Sequence, residues 1–201
     1  MKTHHKLMLM IIAVIILIAA GGFLVFGRGE GKGAALPGAA PATALSGQNA
    51  VGSSSSALSP FGENAGTYAD SDLGFSFQYP PSWTAEASGA SSARLVTVAL
   101  PAKNQSFQVY VTPIDDPSIT AITVAEIRRD LPNLDIRSPE NIAVGSNGEG
   151  KGVSFLSTLS GVKGDVRQVW FAANHEFFQF TSSVSSDDTL TTVLKTFTIG
   201  R

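Results

Sequence analysis

Few side chains in this sequence combine the types and spacing that chemistry requires. The 201-residue chain has no cysteine, which removes thiol nucleophiles, cysteine-ligated zinc, disulfides and a lipoprotein-type lipid attachment. Three histidines are present, and His175 is the only one beyond His4 and His5. A serine hydrolase would need that imidazole as base, with a serine on a sharp elbow and a buried carboxylate. Serines are plentiful, yet no Gly-x-Ser-x-Gly elbow occurs, and Asn174-His175 reads as the turn of a hairpin. A solvated turn histidine is the expectation.

The stretch Gly145-Ser146-Asn147-Gly148-Glu149-Gly150-Lys151-Gly152 comes close to a phosphate-binding loop. Its last position lacks the hydroxyl that would hold Mg²⁺. The residues that follow, Val153 to Ser157, alternate like a strand instead of opening a helix toward a phosphate. A hairpin loop is expected. Asp70-Ser71-Asp72-Leu73-Gly74 begins like a calcium loop, but its glycine comes one place early and Pro81 stands where a bidentate Glu belongs. Asp115-Asp116-Pro117-Ser118 could offer oxygens to a hard cation, with an exposed turn as the plainer reading. Glu176 and Asp165 flank the hairpin and read as solubilising charges, not as a glycosidase pair. Asn104-Gln105-Ser106 matches a glycosylation sequon, which matters only in a eukaryotic secretory host. No catalytic, cofactor-binding or metal-binding residue is assigned, and no cofactor is expected.

The elements that would carry these groups begin with an apolar run. Leu7 to Phe26 holds 20 residues without a charge or a proline. As a helix it spans about 30 Å, the thickness of a bilayer core. It is longer than a signal-peptide core, and cleavage after its Ala19–Gly22 cluster would leave Phe23-Leu24-Val25-Phe26 exposed, so an uncleaved anchor is expected. Lys2 and Lys6 precede it, which favours the N-terminus in the cytoplasm. The reading is a cytoplasmic tail over 1–6, a transmembrane anchor over 7–26, and a Gly/Ala/Ser/Pro linker over 27–66. That linker has too little apolar surface to repay the entropy of ordering it, and as a coil would extend about 35 Å. A globular domain over 67–201 follows on the extracytoplasmic side. From Thr67 onward 10 Lys and Arg face 14 Asp and Glu; without a basic stripe, nucleic acid is excluded as a partner.

Within the domain, Gly74 to Pro80 alternates aromatic and polar residues as a half-buried strand does. Pro81-Ser82-Trp83 suits one helical turn that tucks the indole beneath. Strands are expected over Arg94–Leu100, Phe107–Val111, Ile142–Val144 and Gly152–Leu159. Thr123-Val124-Ala125-Glu126 is a capping box that opens a helix ending near Leu131, before Pro132. Asp165–Ala173 and Glu176–Val184 form the clearest hairpin, expected at the centre of a sheet covered on more than one side. Ser186 or Asp187 caps a last helix with Leu190, Val193, Leu194 and Phe197 on one face, and Thr198-Ile199 closes the chain. The sum is an α+β domain, an antiparallel sheet sandwiched by helices.

Gly74-Phe75-Ser76-Phe77-Gln78-Tyr79-Pro80-Pro81-Ser82-Trp83 resembles the opening of PsbP-like domains, and Phe177–Ser183 with Leu190, Val193, Leu194 and Phe197 resembles their close. The resemblance spans about 130 residues, with only these two ends distinctive. It implies a binding or scaffolding role without catalysis, as in the extrinsic photosystem II subunit and in bacterial envelope relatives. The matching residues are structural ones, and no photosystem-docking or metal-binding residue carries over. The leading expectation is therefore a membrane-anchored extracytoplasmic binding or scaffold domain, not an enzyme, with an envelope protein as partner. The alternatives are an envelope hydrolase using His175 and a structural stalk-and-head protein.

Overall fold

In the computed structural model of the chain, residues 59–90 and 92–200 are described. The apolar run and residues 27–58 of the spacer lie outside them. Ten strands run in chain order as β1 (Gly66–Asp70), β2 (Phe75–Tyr79), β3 (Thr84–Ala90), β4 (Ala93–Leu100), β5 (Gln105–Pro113), β6 (Arg137–Val144), β7 (Gly150–Thr158), β8 (Asp165–Ala173), β9 (Glu176–Ser183) and β10 (Thr198–Ile199). Two α-helices join them, α1 (Val124–Asp130) and α2 (Asp187–Thr196).

Seven strands form one antiparallel sheet in the order β3-β4-β5-β9-β8-β7-β6, and β1-β2-β10 form a second. Two meanders of adjacent strands meet at the β5–β9 pair, with Val109 opposite Phe180. The chain leaving β5 must then cross to the far edge before β6 can start. That crossing, Ile114 to Ile136, carries α1 and packs Ile114, Ile122, Ile127 and Leu131 against Val153, Phe155, Trp170 and Phe177 on one face. On the other face, β2 and α2 place Phe75, Phe77, Leu190, Val193 and Phe197 over Val96, Val109, Val169, Phe171, Phe178 and Phe180.

Period-2 and period-3.6 patterns explain most of this. Phe75 and Phe77 alternate inward along β2, while Leu190, Val193 and Phe197 share one stripe of α2. The β8–β9 hairpin is central and buried on both sides, as its apolar residues on both faces predict. Asn174 and His175 both adopt positive φ, 48° and 63°, the backbone of a two-residue type I′ turn. The capping box is present: Thr123 Oγ1 accepts from the Glu126 N–H at 3.3 Å and the Glu126 carboxylate accepts from the Thr123 N–H at 3.0 Å.

Four details differ from expectation. The α+β class holds, but on one face the cover is a three-stranded sheet as well as a helix. Pro81-Ser82 makes a turn and not a helix; the Trp83 N–H donates to the Pro80 carbonyl at 3.0 Å and the indole is buried as foreseen. Neither Ser186 nor Asp187 caps α2 with its side chain: Ser186 is the N-cap residue without a side-chain cap, and Asp187 pairs with Arg167. Strands β1 and β3 have no period-2 apolar signal, because small and polar residues fill them. Among the described residues no helix is long and apolar enough to cross a membrane.

Candidate functional site

The residues singled out for chemistry are scattered, and most are already engaged. His175 sits exposed at the hairpin tip, where its carbonyl accepts from the Ile114 N–H at 2.7 Å. Ser154 on β7 pairs with Val169, and about 13 Å of strand separate Val169 from Ala173 at that tip. Imidazole and hydroxyl do not meet. Asp165 and Glu176 stand at opposite ends of the hairpin, about 25 Å apart, far beyond the reach of a shared glycosidic bond. Asp165 instead pairs with Arg137 (2.8 Å), which holds its carboxyl below the usual range.

Gly145–Glu149 turns between β6 and β7, with the Gly148 N–H on the Gly145 carbonyl at 3.2 Å. The Glu149 carboxylate accepts from the Asn147 N–H (3.3 Å) and amide (2.9 Å), so an acid fills the concavity that a phosphate would need. Asp70 caps its own turn, accepting from the Asp72 and Leu73 N–H groups, both at 3.1 Å. Arg94 approaches Asp70 at 2.9 Å and Asp72 at 3.2 Å, taking the position of a cation. Burial first, and then Asp70, raise the neighbouring Tyr68 hydroxyl pKa. Asp116 accepts from the Ser118 N–H (3.0 Å) and hydroxyl (2.6 Å), the geometry of an Asx turn. Among the described residues no three His, Asp or Glu side chains converge as a metal site would require.

The concave feature lies elsewhere. Helix α2 crosses the sheet obliquely. Its first residue, Asp187, accepts from Arg167 of β8 at 2.9 Å, whereas the Leu194 carbonyl near its end accepts from the N–H of Gly145, just past β6. Strands β8 and β6 are separated by β7, so they lie about 10 Å apart. The helix and the edge strand therefore meet at one end and diverge toward the other. The resulting wedge encloses about 320 Å³.

Its walls are Ile142 and Val144 of β6 and Leu190 and Leu194 of α2, with Val169 and Ser154 on the floor. Glycines at 150 and 152 keep β7 low on this face; a Cβ at Gly150 would approach the Phe171 ring to 2.6 Å, and one at Gly152 would strike the Trp170 carbonyl. Charge is confined to the rim. Arg167 and Asp187 neutralise one another, leaving Glu140 at the open end and Lys195 at the closed end. Such a site, apolar within and polar at its margin, is suited to holding a side chain or an extended segment. Sequence reading missed it because its residues come from four elements, none with a motif of its own.

No protein-family model matches the sequence, and no curated protein matches it. Among solved structures the chain is similar to cyanobacterial PsbP (CyanoP) from Synechocystis. The TM-score is 0.46 and the identity 13%, covering 74% of this chain and 98% of that one. A protein of Bacteroides thetaiotaomicron is similar with a TM-score of 0.45 and 10% identity over 69% of this chain; the match spans only 50% of that protein.

Proposed function

We propose that this chain is a membrane-anchored, extracytoplasmic domain that binds a protein partner through the wedge between α2 and β6 and catalyses no reaction. The wedge carries the reading. It is concave and apolar, its rim charges are few, and His175 lies far from it. The 20-residue apolar run supplies the anchor and the spacer supplies reach, which raises the local concentration of partners near the membrane. The resemblance of Gly74–Trp83 to PsbP-like domains, read as binding modules, agrees with this role.

Two measurements test it. A C-terminal tag on the full chain is expected to be digested by protease added outside intact cells and to fractionate with membranes. A photo-crosslinker at Leu194 is expected to give a discrete adduct that the same crosslinker at His175 does not give. Protection of the tag refutes the orientation, and identical adduct patterns from the two positions refute the wedge as the binding site.

A further inference from the structure

We infer that the wedge receives an extended polypeptide segment, added as an extra antiparallel strand on the edge of β6. The inference rests on the binding role proposed above and adds the form and chemistry of the ligand. Among the described residues β6 ends the seven-stranded sheet. An edge strand presents a row of backbone N–H and C=O groups to whatever approaches. At its start β6 is blunted: Ser138 has φ 47°, Pro139 lacks an N–H, and the register shifts between Arg137 and Glu140. From Glu140 to Val144 the register with β7 is regular, so five residues of clean edge remain. They run along the mouth of the wedge. An edge strand beside a diverging helix is the arrangement by which strand-adding domains capture peptides: the backbone supplies affinity and alternate side chains enter the groove.

The rim fixes the ligand's chemistry. Glu140, Ile142 and Val144 all line the wedge, as period-2 alternation requires. In an antiparallel ligand strand, three alternate residues lie opposite Val144, Ile142 and Glu140 in that order. The first meets Lys195 beside the closed end, the second the apolar walls, and the third Glu140 at the open end. Complementarity selects an acidic residue, then an apolar one, then a basic one, spaced as Asp/Glu-x-Ile/Leu/Val-x-Lys/Arg. No stretch of this chain reads that way, which points to a segment of a different protein.

The test uses the full chain in nanodiscs and a fluorescent nine-residue peptide centred on Glu-Thr-Ile-Thr-Lys. Saturable binding is expected, about tenfold tighter than for the charge-reversed Lys-Thr-Ile-Thr-Glu peptide. The double variant Glu140→Lys/Lys195→Glu is expected to invert that preference. N-methylation of the peptide's ladder-facing amides abolishes binding, and amide exchange slows over residues 140–144 on saturation. Folding of the variant is checked by its near-ultraviolet circular dichroism. A preference that survives the charge swap, or binding indifferent to N-methylation, overturns strand addition. So does sedimentation showing that β6 pairs with a second copy. A Leu194 adduct with a partner, but no peptide binding, overturns this inference and leaves the binding role standing; loss of both removes the role itself.

Discussion

Glu176 opens β9 beside the hairpin tip, and its Oε2 is buried without a hydrogen-bond partner among the described residues. Burial pushes its carboxyl from 4.5 up to about 7. Below pH 4.5 the group is neutral folded and unfolded alike. As pH rises the unfolded chain ionises first while the folded one keeps its proton, so stability falls between about pH 4.5 and 7 and levels off above. The full displacement corresponds to about 3 kcal/mol. The side chain is only half-buried, and solvent screening reduces this to about 1 kcal/mol. Glu176→Gln keeps the shape and removes the titration. In urea unfolding of the full chain in non-ionic detergent, followed by Trp83 and Trp170 fluorescence, the variant is expected to gain about 1 kcal/mol on the wild type at pH 8 and nothing at pH 4.5. Parallel stability curves across that range would refute the assignment.

Three further outcomes follow from the packing. Phe197 is fully buried, with ring centroids 5.1 Å from Phe178 and 5.3 Å from Phe171; Phe197→Ala is expected to cost about 3–5 kcal/mol in the same unfolding assay, and Phe197→Leu much less. Arg94→Met leaves the Asp70 carboxylate, its side chain 5% exposed, without its ion-pair partner. A loss of about 3–5 kcal/mol is expected, partly recovered by adding Asp70→Asn. Thr123→Ala removes the capping hydroxyl of α1 and is expected to cost about 0.5–2 kcal/mol, with faster amide exchange at Glu126.

What could be read from residues alone was whatever local pattern determines. The β8–β9 turn, the capping box and the apolar stripe of α2 all announce themselves within a dozen residues. Strand β3, Thr-Ala-Glu-Ala-Ser-Gly-Ala, does not, because an exposed edge needs no apolar alternation and only its pairing with β4 makes it a strand. The failure of Asp187 to cap α2 is similar: a carboxylate at a helix start is ordinarily a cap, but Arg167, twenty residues earlier, offers a charged partner. The wedge could not be foreseen. It exists because α2 lies askew to β6, and no spacing in the chain encodes a crossing angle.

The small sheet has a consequence for how the molecule is made. β10 pairs with β2, so Thr198 meets Ser76 across 122 positions of sequence. During synthesis Phe75 and Phe77 must wait, uncovered on that side, until nearly the last residues have left the ribosome. A polypeptide released a few codons early would display that aromatic strip and offer quality-control proteases a handle.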